Sequence, residues 1–116
     1  MNSTESNKLI ADFMGWKCLS NTKSKNYMEM QLINGIECAK RECSLEQMKF
    51  DTSWDWLMSV VEKCEDMGYY FEISGNAVQV TRPSEFGSEV IYLNHAETKI
   101  QAAYEAVIWF IENFYP

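Results

Sequence analysis

A chain of 116 residues, 47% of them hydrophobic and 14% aromatic, can bury a core as one domain spanning residues 1–116, which excludes intrinsic disorder. A formal net charge of −7 excludes the broad basic surface by which nucleic acid is usually bound. Lys17, Lys23, Lys25 and the Lys40–Arg41 pair are the only cationic clusters, so no direct contact with nucleic acid is expected. An acidic surface of this kind keeps a protein soluble, and it can also compete for a basic groove on another protein.

The first predicted element is a short helix over residues 4–14. Ser3 or Thr4 can cap it, Leu9, Ile10, Phe13 and Met14 give it an apolar side, and Gly15 stops it. Residues 17–26 form a polar loop, with or without a brief strand before it. Tyr27–Ile33 alternates as a strand, with Met28, Met30 and Leu32 on one face and Glu29 and Gln31 on the other. Asn34-Gly35 suits a type I′ hairpin turn. Direct pairing across that turn sets Leu32 opposite Glu37 and Met28 opposite Arg41, which mixes the faces, so residues 36–47 are strand or helix.

Met48–Phe50 is extended, and Asp51, Thr52 or Ser53 can cap the main helix that follows. In it Trp54, Leu57, Val60, Val61, Cys64 and Met67 fall within roughly 140° of arc, while Asp55, Glu62, Glu65 and Asp66 fall outside it. Gly68 ends that helix. If Gly75-Asn76 is a two-residue turn, Ile73 faces Val78 and Phe71 faces Val80 on one side, and Glu72 meets Gln79 on the other. Pro83–Ser88 reads as a loop, Glu89–Leu93 as a strand, and Asn94 with Glu97 as the capping box of a last helix. That helix carries an apolar stripe of Ile100, Ala103, Tyr104, Val107, Phe110, Ile111 and Phe114. The predicted fold class is α+β: an antiparallel sheet of about three to five strands with three main helices, in the order α-β-(β or α)-α-β-β-β-α.

No catalytic motif accompanies these elements. The one histidine, His95, reads as a solvated residue at the start of the last helix. No phosphate loop, nucleophile elbow, dinucleotide fingerprint or zinc-protease signature occurs. Cys18, Cys38, Cys43 and Cys64 include no close pair of the C-x-x-C type, so neither zinc nor a disulfide is expected. No apolar run approaches the ~18 residues of a membrane span. The N-terminus lacks the features of a signal peptide, so a cytoplasmic location is expected. Trp109 lies roughly 160° from Val107 on the last helix, among Glu105, Glu112 and Asn113, and Trp56 sits on the shoulder of its own helix. Tryptophans so placed are either covered by another segment or form a partner or self-association surface, a homodimer included.

The segments NKLIADFMGW (7–16), MKFDTSWDWLMSVVEKCE (48–65) and KIQAAYEAVIWFIENF (99–114) together resemble a group of small uncharacterised proteins. These recur in phage, prophage and related bacterial sequences. The resemblance covers about half of the chain and leaves residues 17–47 outside it. It implies a mobile-element context and supplies no catalytic residues. The function expected from charge and context is that of a non-enzymatic protein-binding module without cofactor, an inhibitor of a host defence effector in the manner of anti-CRISPR proteins. Trp109, Glu105, Glu112 and Trp56 are its candidate partner-binding residues. The competing expectation is a small-molecule or nucleotide-binding domain with a pocket between sheet and helices.

Overall fold

The computed structural model describes residues 3–19 and 26–115. Their contacts divide the chain into two compact units, Met1–Met48 and Lys49–Pro116. The described elements make an α+β fold with three α-helices and six strands. The strands form two three-stranded antiparallel sheets rather than the single sheet expected. Each sheet is built from neighbours in sequence, so every strand pairs through a local connection and none crosses from one sheet to the other.

In the first unit, α1 (Ser3–Phe13) starts at the edge of the described residues, so its N-cap lies outside them. Ile10, Ala11 and Phe13 are buried, as is Trp16 just after the helix. A one-turn 3₁₀ helix (Leu45–Gln47) contacts α1, and Asn7 Nδ2 donates to the Leu45 carbonyl at 3.1 Å. β1 (Lys17–Leu19) is the brief strand; Lys23 and Lys25 lie outside the described residues. β2 (Asn26–Ile33) and β3 (Ile36–Ser44) form the hairpin, so residues 36–44 are strand. Asn34 and Gly35 have φ of 52° and 80°, the two positive values that a type I′ turn needs.

A bulge resets the pairing but leaves Leu32 opposite Glu37 and sets Met28 opposite Glu42. The register shifts between Glu29 and Met30, which leaves Lys40 as the extra residue. Arg41 then falls opposite Glu29 and pairs with it, and Lys40 reaches the same carboxylate at 3.5 Å. Cys43 falls opposite the buried Tyr27. Tyr27 is the one buried residue of β2, and Met28 and Met30 on the opposite face are half-buried.

In the second unit, α2 (Trp54–Asp66) follows Ser53 as N-cap and buries Leu57, Val60, Val61 and Cys64, with Trp54 and Met67 exposed at the two ends of the stripe. β4 (Tyr70–Ser74) and β5 (Ala77–Ser84) pair in the register expected, Ile73 with Val78, Phe71 with Val80 and Glu72 with Gln79. Gly75 at φ +58° supplies the first position of a type II′ turn.

Two expectations for this unit are corrected. Residues 83–88 are not a loop: β5 runs to Ser84 and β6 (Gly87–His95) begins at Gly87, leaving a tight turn at Glu85-Phe86. Asn94 is not a helix cap, and His95 is the last residue of β6. The sheet continues past the expected end at Leu93, so the helix starts later. Thr98 caps α3 (Lys99–Phe114), its Oγ1 accepting from the Gln101 amide at 3.2 Å.

α3 contacts all three strands of this sheet. It buries Ala102, Ala103, Tyr104, Ala106, Val107, Phe110 and Ile111, a wider strip than predicted because the small Ala102 and Ala106 let the helix lie close. Among the described residues no helix is long and apolar enough to cross a membrane.

Leu57→Ala and Val61→Ala should destabilise the protein by about 2–5 and 1–3 kcal/mol, because both empty buried volume. Asp55→Ala and Glu62→Ala, at exposed positions, should stay within about 1 kcal/mol in urea unfolding. Burial, with Asp12 and Cys18 adding to it, pushes the Tyr27 hydroxyl up to about 12. The folded state thus holds this proton more tightly than the unfolded chain, whose tyrosines titrate near ~10. The stability this contributes is complete below that value and is lost as pH rises from there toward 12. Thermal melts across this range should show the loss, and Tyr27→Phe should make it shallower.

Candidate interaction surface

The four candidate residues all lie in the second unit. Trp109 projects from α3 beside β6. The bulge at Ile91 brings Tyr92 opposite Val80, on the side of the sheet that α3 covers. Tyr92 then stacks on Trp109 with centroids 4.5 Å apart and planes 24° from parallel. Phe114 meets the indole edge-on at 5.7 Å. Trp109 is half-buried, and this stack gives the indole a role in packing that the helix period did not reveal.

Glu105 lies one helical turn before it and accepts from Asn94 Nδ2 at 2.8 Å. Burial first, and then the charge of Glu105, push the Tyr92 hydroxyl above its ordinary value. Asn94, read from the sequence as a cap, instead ties β6 to α3. Glu112 is exposed. Glu105, Trp109 and Glu112 therefore share one side of α3, and Tyr92 and Asn94 of β6 complete that site. Trp56 belongs elsewhere: it is half-buried on α2 and meets the buried Phe50 edge-on at 5.2 Å.

The other side of this sheet carries Tyr70, Val90 and Leu93, all exposed. A depression of about 240 Å³ there is lined by Glu72, Ser74, Ala77, Gln79 and Leu93. At the β5–β6 turn Phe86 is 97% exposed. Sequence reasoning missed Phe86 because residues 83–88 read as a loop, where an apolar side chain has many ways to fold back. In a tight turn between paired strands it has none.

The thiols lie apart. Cys38 pairs with Gln31 and Cys43 with Tyr27, four residues along β2 and hence about 13 Å. That is beyond the ~7 Å Cα limit of a disulfide and beyond what two ligands of one tetrahedral zinc allow. Burial pushes the Cys43 thiol up and the Cys64 thiol to about 12. Among the described residues no three His, Cys, Asp or Glu side chains cluster as a metal site.

Charge is divided unevenly along the chain. Residues 1–48 hold six Lys or Arg and six Asp or Glu, whereas residues 49–116 hold four and eleven. All seven net negative charges thus belong to the second unit. On α2, Asp55, Glu62 and Asp66 are exposed and lie within roughly 40° of arc, a line of carboxylates along the helix.

No protein-family model, curated protein or solved structure matches this chain.

The Tyr92–Trp109 stack can be measured by a double-mutant cycle. Trp109→Ala should cost about 2–4 kcal/mol of stability, and its coupling to Tyr92→Ala should be about 0.5–1.5 kcal/mol. Additive losses would mean that the two rings do not pack on each other in solution.

Proposed function

We propose that this chain is a non-enzymatic binding protein, borne on a phage or related mobile element, that inhibits a host defence effector by occupying its basic nucleic-acid-handling surface. The observation that carries this reading is the concentration of all seven net charges in residues 49–116. A surface with eleven carboxylates against four cations presents to a basic groove what a phosphate backbone presents, and it steers the encounter at long range. The row of Asp55, Glu62 and Asp66 on α2 and the exposed Glu112 on α3 are the charges best placed to meet it. Phe86 between Glu85 and Glu89, and the exposed part of Trp109 beside Glu105 and Glu112, are the aromatic anchors such an interface needs.

The experiment is capture of a partner from the native host, followed by titration with and without duplex DNA. The expected partner is a basic protein that binds in fixed stoichiometry, and DNA should displace the inhibitor from it. Raising the salt should weaken binding. Charge reversal of Asp55, Glu62 and Asp66 together should slow association roughly tenfold or more while leaving the melt unchanged. A partner that binds DNA and this protein at once, with no competition, would overturn the proposed mode of inhibition.

A further inference from the structure

The β2–β3 hairpin ends in apolar side chains on both of its faces. Leu32 is 74% exposed and Ile36 67%, with Ile33 beside them across the turn. On the Leu32 face lies a depression of about 280 Å³ lined by Met14, Gly15, Met30, Gln31, Leu32 and Glu37. Thioether side chains adapt to the shape laid against them, and a contiguous apolar surface of this kind marks an interaction site.

The charges around it favour one occupant. Lys17 stands opposite Met28 and Glu37 opposite Leu32, so both belong to this same face, where Lys17 Nζ meets Glu37 Oε2 at 3.2 Å. Both side chains are about half exposed. This ion pair is closed within one chain, and two copies turned about a two-fold axis exchange its partners, so that each cation meets the other copy's anion. Residues 1–48 carry no net charge, so two such units approach without the repulsion that two copies of residues 49–116 would meet.

We propose that the Met14–Met30–Leu32 face of the first unit is a homodimer surface, on which two copies meet about a two-fold axis with Lys17 of each beside Glu37 of the other. This surface is independent of the acidic one and does not rest on the function proposed above. Its energy is mainly apolar, so dimerisation should survive high salt, the reverse of binding to a basic partner.

Sedimentation velocity of the full chain, across the accessible concentration range at low and high salt, tests this directly. The wild type should show a concentration-dependent dimer. Leu32→Glu places a charge in the apolar centre and should weaken the dimer roughly tenfold or more, with an unchanged thermal melt because the side chain is exposed in the monomer. Lys17→Glu and Glu37→Lys make the rim all negative and all positive respectively. Each alone should be shifted to monomer, and an equimolar mixture of the two should recover the dimer. A role confined to the ion pair within one chain would not respond to mixing. A wild type that stays monomeric, or a Leu32→Glu variant that dimerises like it, overturns the surface. A mixture that stays monomeric overturns the two-fold arrangement.

Discussion

The packing of α3 across the β4–β5–β6 sheet is the constraint on which the second unit depends. Phe110 lies against Tyr69 at 4.9 Å and Phe71 at 6.0 Å, and Val78 and Val80 of the central strand are fully buried. A single amphipathic helix of this length is marginal in water, and so is an isolated hairpin. Each becomes stable by removing the other's apolar face from water, at about 25 cal/mol per Å². The placement of β6 follows from this packing. Once α3 lies on the sheet, the bulge at Ile91 aims Tyr92 at Trp109, and Asn94 at Glu105.

This arrangement leaves charge as the main feature of the second unit's surface. Carboxylates remain on the sides of α2 and α3 that packing does not use, and few cations neutralise them. The first unit differs in charge. Its ions cancel, Glu29 bridges Lys40 and Arg41, and Leu32, Ile33 and Ile36 are exposed at its hairpin tip. Like-charged surfaces repel at short range, whereas an uncharged apolar face gains by meeting another. One chain can therefore hold two surfaces that answer oppositely to salt.

How legible each element was depends on whether its local signals agreed. The β4–β5 register could be derived because Gly75-Asn76 fixed the turn, and that turn then set apolar against apolar and polar against polar. The α2 stripe was legible for the same reason, a single period fitting thirteen residues. β2–β3 was not, since the turn implied one register and the faces objected. The pairing beyond Met30 is reset by a bulge, a local insertion that no period contains. The exposed tip had a signal too: with Leu32, Ile33 and Ile36 on both sides of a turn, no single buried face could take them all.

By itself, the sequence determined the fold class, the apolar stripes of α2 and α3 and the Asn34-Gly35 and Gly75-Asn76 turns, because these follow from periodicity and the dihedral preferences of residues such as Asn34, Gly35 and Gly75. It also determined that the net charge is negative, and the division into two units then assigned that charge to residues 49–116. Only the tertiary structure decided that the strands form two sheets and that Thr98 rather than Asn94 caps α3. It alone placed Tyr92 over Trp109. The physical reason is the same in each case. These outcomes rest on how whole elements pair and pack, and a helix period or a turn reports only on its own few residues. Trp109 stood opposite the core of its helix, and it took a strand ending fourteen residues earlier in the chain to give it a neighbour.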